Sequence, residues 1–123
     1  MVEFAFVLPL LILLIFGIIE FGLVLYNKAV ITNASREGAR KGIVAQDSRV
    51  TDAEITTVVN NYCASYLVTF GAPNSPVTQV ARTGTASGSD LTVTVNYTYG
   101  FLVIPSSITG PITFNAVTKM KLE

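Results

Sequence analysis

Histidine is missing from the 123-residue sequence, cysteine occurs once, and only 13% of the residues are charged. The absence of histidine removes the commonest acid–base side chain and the commonest metal ligand. The single cysteine, Cys63, excludes an intrachain disulfide and a cysteine-based metal cluster. Net charge is zero and the bases form no block, so a nucleic-acid-binding surface is not indicated. We expect neither an enzyme nor a cofactor, because no nucleophile, base and orienting group share a workable spacing.

Apolar residues are abundant instead, at 50% of the sequence, and they concentrate at the N-terminus. Residues Phe4–Tyr26 form an apolar run that is interrupted only by Pro9, Gly17, Glu20 and Gly22. As a helix, this run would be roughly 34 Å long, enough to cross the hydrocarbon core of a bilayer. A helix-compatible pattern continues to Val44, which predicts one helix of roughly 60 Å. A helix of that length extends beyond its head domain and needs lipid or further copies of itself.

The polar continuation of this helix, residues 27–45, carries only a thin apolar stripe. Its members are Ala29, Val30, Ala34 and Ala39. We therefore expect residues 1–45 to form a long N-terminal helix that is covered either by lipid or by further copies of itself. Residues 46–123 are expected to form a small head domain.

A second helix is predicted to open the head. Thr51 and Glu54 have the spacing of a capping box, and Gly71 and Pro73 follow where the helix would stop. The apolar face of this helix would consist of Ile55, Val58, Val59, Tyr62, Tyr66 and Phe70. Cys63 lies one position off that face and is interpreted as a small, partly buried residue and not a reactive thiol.

The rest of the head has the pattern of β-strands. The candidate strands are Val77–Arg82, Leu91–Tyr99 and Ile112–Leu122. The second strand alternates apolar and polar residues without a break, and the third does so except at Val117 and Thr118. An apolar loop segment, Phe101–Ile104, separates them. We expect an α+β head in which the second helix packs on the apolar face of a three-stranded antiparallel meander.

Four short segments follow one another along the N-terminal helix: VEFA at residues 2–5, LP at 8–9, GIIEFG at 17–22 and NASREGAR at 33–40. Together they resemble the TadE-like pilins of bacterial tight-adherence pili, a type IV pilus-related system. The resemblance implies a precursor with a short basic leader, which a prepilin peptidase removes at the inner membrane. An ATPase-driven machine would then assemble the protein into an extracellular pilus on the cell surface. The helix of residues 1–45 would accordingly be a membrane span before assembly and the filament core afterwards.

The resemblance leaves two roles open. The first is a structural pilin, a homopolymer that forms the filament through its N-terminal helices. The second is a minor pseudopilin or a single-pass membrane-anchored accessory protein of pilus assembly. The two roles share one fold, so polymerisation decides between them. Adhesion and other surface activities follow from neither.

The charges around the apolar run bear on its orientation. Basic residues follow the run and none precedes it, so the positive-inside rule would keep the head in the cytoplasm. An exported head therefore requires a basic leader on the precursor. Type IV pilins commonly carry their key glutamate at the fifth mature position, whereas here it is Glu3. Either Met1 is not the mature N-terminus, or this branch is cut differently, or Met1 is an initiator.

Two carboxylates lie in the apolar run, and each must be neutralised, paired or hydrated. We expect Glu3 to pair with the N-terminal amine of a neighbouring subunit; the alternative is a hydrated carboxylate at the membrane surface. For Glu20 the options are Lys28 or Arg36 of another copy, protonation, or a hydrogen bond to carbonyls near Gly17. The sequence leaves this choice open.

The subunit contacts are expected along the apolar run, with its leucines and isoleucines forming the helix-to-helix core of the fibre. The predicted contact residues are Glu3, Phe4, Leu8, Pro9, Leu11, Ile15, Gly17, Ile18, Ile19, Glu20 and Gly22. The charged residues 36, 37, 40 and 41 are expected to form a solvated face or local helix pairs.

Overall fold

The structure is a computed structural model that describes residues 2–44, 48–68, 76–100 and 110–123. Its elements are α1 (Val2–Ile43), α2 (Asp52–Tyr66), β1 (Val77–Arg82), β2 (Asp90–Tyr99) and β3 (Ile112–Lys121). A long apolar helix followed by a helix and a three-stranded antiparallel sheet confirms the predicted α+β class. The expected roles of Phe70, Gly71, Pro73 and Phe101–Ile104 lie outside the described residues.

Helix α1 runs unbroken through Pro9 and has two unlike halves. All residues from 2 to 19, here called the bare segment, are exposed. From residue 20 to 43, here called the head-borne segment, one face of the helix is buried by the rest of the chain. The buried residues are Glu20, Asn27, Val30, Ile31, Ala34, Ser35, Gly38, Ala39 and Gly42. The predicted apolar stripe differs from this buried face at two positions. It included Ala29, which is exposed, and it omitted Ile31, which is fully buried.

The sheet has the order β1-β2-β3, and both strand pairs are antiparallel. Its inner face follows the predicted alternation on β2, since Leu91, Val93, Val95, Tyr97 and Tyr99 are all buried. The expectation that α2 alone covers this face is wrong, because α1 packs over β2 and β3, whereas α2 packs on α1 and beside β1. Both α1 and α2 pack against the core, and α1 contributes Ile31, Ala34 and Ala39 to it.

The irregularity predicted in β3 is a polar contact and not a break in the strand. Alternation continues, with Val117 pointing outward at 60% exposure and Thr118 facing the helices. The Thr118 hydroxyl lies 2.6 Å from the Ser35 hydroxyl of α1, and Ser35 in turn donates to the Thr32 carbonyl. Thr118 therefore occupies an apolar position of the pattern because α1 presents a buried hydroxyl there.

Two glycines allow α1 to approach the head closely. A Cβ atom at Gly38 would lie 2.6 Å from a methyl group of Val59. A Cβ at Gly42 would lie 2.5 Å from a methyl group of Leu91 and 2.7 Å from one of Ile55. All three distances are shorter than van der Waals contact, so any larger residue at either position would push α1 away from α2 and the sheet.

The contacts of α1 fix its direction relative to its neighbours. Residues further along α1 contact residues further along β3 and the chain end. The pairs are Lys28 with Asn115, Ser35 with Thr118, and Ile43 with Glu123. Its contacts to α2 run in the opposite sense, from Gly38 at Val59 to Gly42 at Ile55. Helix α1 is therefore parallel to β3 and antiparallel to α2.

Helix α2 begins as predicted and ends earlier. Thr51 is its N-cap and forms the expected capping box with Glu54. The helix stops at Tyr66, four residues before the predicted end at Phe70, and Leu67 is already extended. The reason lies in α1, because the Asn27 side chain binds the backbone of Val68 and so holds that residue outside the helix.

The buried face of α2 is rotated from the predicted one. It centres on Ile55, Val59 and Cys63, whereas Tyr66 is 52% exposed. Cys63 is 1% exposed, so the expectation of partial burial is wrong. Burial raises the pKa of the Cys63 thiol to about 11, which agrees with an unreactive thiol.

Candidate assembly surface on the N-terminal helix

The bare segment exposes large apolar side chains on every side of the helix. Phe4 and Phe6 are 77% and 78% exposed, and Leu10 is 67% exposed. The best 18-residue window of α1 has a mean hydropathy of 2.8, with none of it buried. By length and composition α1 is able to cross a membrane. An apolar surface of this extent needs cover from lipid or protein.

Ten of the eleven predicted contact residues are exposed in the structure. They are Glu3, Phe4, Leu8, Pro9, Leu11, Ile15, Gly17, Ile18, Ile19 and Gly22. The eleventh, Glu20, is 2% exposed and turns into the head at the point where the bare segment ends. Their part in subunit contact stays a prediction.

Glu20 lies beside the aromatic end of the core. Burial raises the pKa of the Tyr99 hydroxyl, and the negative charge of Glu20 raises it further. Tyr99 also packs near Phe114, with ring centroids 6.3 Å apart. This carboxylate therefore belongs to the junction between helix and head, which the sequence did not indicate.

A buried amide fastens the same end of the head to α1. Asn27 is 0% exposed, and its side-chain amide donates to the Val68 carbonyl at 3.1 Å. The Val68 N–H donates in return to the Asn27 side-chain oxygen, also at 3.1 Å. Both polar groups of this buried amide and both backbone groups of the half-buried Val68 thus have a partner. This pair could not be predicted from sequence, because the two residues are 41 positions apart.

One line of exposed apolar residues runs along α1 on the side away from the head. Its members, here called the seam, are Phe4, Leu8, Leu11, Ile15, Ile18, Gly22, Leu25 and Ala29. Their spacing alternates between four and three residues throughout. Because the bare segment is apolar on every side, a second exposed line from Ala5 to Ala29 has the same spacing, so the spacing alone does not single out one face.

A second exposed face has a shallow apolar groove of about 450 Å³. It is lined by Leu10, Leu13, Leu14, Gly17, Ile18 and Phe21. A Cβ atom at Gly17 would meet nothing within 4 Å, and the same holds for Gly22 on the seam. The two glycines therefore mark two different faces where a neighbour could approach closely.

Two charged groups of α1, besides Glu20, have contacts within the chain: Arg40 pairs with Glu37 on the same helix, and Lys28 binds the backbone of β3. Arg40 and Glu37 form an exposed ion pair at 2.5 Å, which confirms the expected local helix pair. The hydrogen bond from Arg40 lowers the pKa of Glu37. The Lys28 ammonium donates to the Asn115 carbonyl at the edge of β3. Within the described ranges, no three His, Cys, Asp or Glu side chains are grouped to hold a metal ion.

The chain thus combines a bare apolar helix, able by length and composition to cross a membrane, with a small α+β head that continues from it without a break. The family model described as TadE-like protein matches residues 1–40, which cover the bare segment and most of the head-borne segment. This match agrees with the resemblance of the four N-terminal segments and supports an involvement in tight-adherence pilus systems. No curated protein and no solved structure matches the chain.

Proposed function

We propose that this chain is a structural pilin subunit that polymerises through α1 into an extracellular filament. The observation that carries the proposal is the bare segment, in which residues 2–19 receive no cover from the head. Lipid covers it in the inner membrane before assembly. In the filament, the α1 helices of other copies take the place of lipid.

The junction between the two halves of α1 suits extraction from a membrane. The head-borne segment is held by close packing at Gly38 and Gly42 and by the buried Asn27 amide. The bare segment is a direct continuation of that fixed helix. A machine that moves the head therefore also moves the bare segment, and the proposal includes a prepilin peptidase and pilus assembly machinery as partners.

Glu3 supplies the axial register in this proposal. It is exposed near the start of α1, in a segment that is otherwise apolar. A carboxylate enclosed by apolar helices is stabilised by an opposite charge beside it. The N-terminal amine of a neighbouring mature subunit provides one and fixes the height at which the neighbour binds.

The second candidate function is a minor pseudopilin or accessory protein that remains in the membrane. The length of the bare segment favours it, since residues 2–19 span about 27 Å at about 1.5 Å per residue. A hydrocarbon core of about 30 Å covers such a segment completely without any other copy.

Shearing separates the two functions. Filaments sheared from cells, imaged by electron microscopy and sequenced from the N-terminus are expected to contain this chain as their main component. Recovery of the chain in the membrane fraction alone, with no fibre that contains it, would contradict the structural role and favour the accessory role.

A matched pair of variants tests the role of Glu3. Glu3→Gln keeps the size of the side chain and removes its charge, so we expect a severalfold lower yield of sheared filaments. Glu37→Gln is the control, because Glu37 is paired with Arg40 on the head-borne segment. Equal yields from the two variants would remove Glu3 from the assembly mechanism.

A further inference from the structure

We propose that the end of the head next to the bare segment docks onto the surface of a phospholipid bilayer. This surface, here called the junction end, consists of Tyr99 and Ile112 of the sheet with Leu25 and Tyr26 of α1. The inference deepens the proposed function, because it rests on the bare segment lying in lipid before assembly. It applies to the structural pilin and to the accessory protein alike. Its test uses vesicles and no filament, so it is independent of the filament role.

The depth of Glu20 is the first argument. Glu20 lies about 27 Å along α1 from Val2, whereas the hydrocarbon core of a bilayer is about 30 Å thick. Glu20 is 2% exposed, because the rest of the chain covers it. When the bare segment fills the core, part of the head therefore lies at the boundary between hydrocarbon and headgroups. Raising the chain to keep the whole head in water would transfer Ile18, Ile19 and Phe21 to water, and all three are more than half exposed.

The position of the sheet is the second argument. Helix α1 is parallel to β3, and Lys28 contacts Asn115. Ile112 precedes Asn115 by three residues, or about 10 Å along the strand, which corresponds to about seven residues of α1 and places Ile112 within a turn of Glu20. The negative charge of Glu20 raises the pKa of the hydroxyl of Tyr99, the strand partner of Ile112, in agreement with this position. The sheet therefore reaches the same depth as Glu20.

The apolar character of the junction end is the third argument. Ile112 continues the inner face of β3, yet it is 37% exposed, whereas Phe114 and Ala116 on the same face are buried. Leu25 and Tyr26 are exposed beside it on α1. Tyrosine is enriched at the bilayer boundary, where its ring meets hydrocarbon and its hydroxyl meets water. Lipid would supply the cover that the head does not give to these side chains.

The placement of charge in the head is the fourth argument. In the described part of the head, the charged side chains lie before or in the first turn of α2, at Arg82 and Asp90, and from Lys119 to the chain end. Lys119 is the first of them along β3, and it is seven residues beyond Ile112, or about 23 Å. A surface that faces lipid carries few charges, since each would lose its hydration. The junction end is also continuous with the bare segment, so the lipid around that segment reaches it without any further partner.

Fluorescence quenching in vesicles tests the proposal, because the chain contains no tryptophan of its own. The purified full chain is inserted into phosphatidylcholine vesicles with brominated acyl chains, which quench nearby tryptophan. We expect Ile112→Trp to be quenched severalfold more than Val117→Trp, which lies on the same strand about 17 Å further from the junction end. Leu13→Trp, in the middle of the bare segment, is the positive control for insertion.

A second pair of variants avoids any disturbance of the core. Thr113→Trp and Val117→Trp both replace exposed residues on the outer face of β3, four positions apart. The two probes therefore differ mainly in their distance from the junction end, and we expect stronger quenching of Thr113→Trp. Protection of Cys63 from alkylation shows that the head is folded in each variant, because this thiol is 1% exposed.

Each outcome decides something. If Leu13→Trp is quenched while Ile112→Trp and Thr113→Trp are quenched no more than Val117→Trp, the inference is overturned and insertion of the bare segment stands. If Leu13→Trp is not quenched either, insertion fails and the inference fails with it. A shielded Ile112→Trp that resists bromine, and loses its shielding when the chain is diluted in the vesicles, would assign the junction end to a second copy. Strong quenching at the junction end of a chain that forms no filament in cells would leave this inference standing while the filament role fails.

Discussion

The two halves of α1 belong to one uninterrupted helix, yet they are built for different surroundings. The bare segment carries large apolar side chains all around, with Phe4, Phe6 and Leu10 each more than 65% exposed. The head-borne segment buries only one face, which consists largely of small residues such as Gly38, Ala39 and Gly42. Its other side carries the exposed Arg36 and Arg40.

The difference shows how each half obtains its cover. Large side chains all around a helix suit a surrounding that adapts to them, such as lipid or several neighbouring helices. Small residues on one face suit a single rigid partner, because only that partner fits the space they leave. The second half therefore fixes the helix to the head, and the first half is available to other molecules.

The largest effect is expected from filling the closest contact of the head-borne segment. Gly42→Val puts methyl groups where a Cβ alone would already be 2.5 Å from Leu91, so we expect a loss of about 3 kcal/mol in the free energy of unfolding. This free energy is measured by urea titration of the full chain in detergent micelles, with the alkylation of Cys63 as the signal for unfolding.

Gly17→Val is the control for this change. It carries the same change in helix propensity, but its Cβ meets nothing within 4 Å. We expect it to leave the stability of the head unaltered. If both variants unfold at the same urea concentration, the close packing of the head-borne segment against α2 and β2 is not what stabilises the head.

A smaller effect is expected at the buried amide near the junction. Asn27→Ala leaves the N–H and carbonyl of Val68 without their described partner, which costs about 2 kcal/mol. Asn33→Ala changes the same residue type on the exposed side of the same helix, so it should shift the free energy of unfolding by less than about 0.5 kcal/mol. Similar losses from the two variants would show that the Asn27 contact contributes little.

A still smaller effect is expected at the hydroxyl pair between α1 and β3. Ser35→Ala should cost about 1 kcal/mol, because it deprives the Thr118 hydroxyl of a partner at 2.6 Å. Thr118→Val in the same chain replaces the second hydroxyl by an apolar group and should restore part of that loss. A double-mutant cycle measures the coupling, and strictly additive losses would rule it out.

The smallest effect is expected on the outer face of the sheet, opposite the face that α1 covers. Lys121 and Lys119 each lie 3.0 Å from the Asp90 carboxylate and hold its pKa below the ordinary value. Because the pKa is lowered in the folded state, the stabilisation is present above the ordinary pKa of about 3.9 and is lost as the pH falls through the folded value. Unfolding midpoints at decreasing pH should fall less for Asp90→Asn, and parallel curves would exclude this contribution.

The features that the sequence predicts well are those carried by neighbouring residues. The Thr51–Glu54 capping box places the start of α2, and strict alternation places β2 with its buried face. Contacts between distant segments were not predictable in this way. Asn27 ends α2 early by binding Val68, and Thr118 faces inward to meet Ser35.

The candidate surface was only partly predictable from the sequence. Apolarity and resemblance pointed to the bare segment, and the structure leaves those residues exposed. Glu20 was grouped with them because it lies in the same run, yet it is buried at the head. Which side of a helix a distant sheet will cover cannot be read from the helix alone. The NASREGAR segment likewise owes its small residues to packing at Ser35 and Gly38.

The parallel course of α1 and β3 has a mechanical consequence. Tension applied to the start of α1 along its axis acts in the direction of the strand beside it. The contacts at Lys28, Ser35 and Ile43 are then sheared together, whereas a perpendicular pull would peel them apart one after another. A force applied through the bare segment is shared along the whole side of the head. The packing of α1 on the head therefore resists a lengthwise pull better than a sideways one.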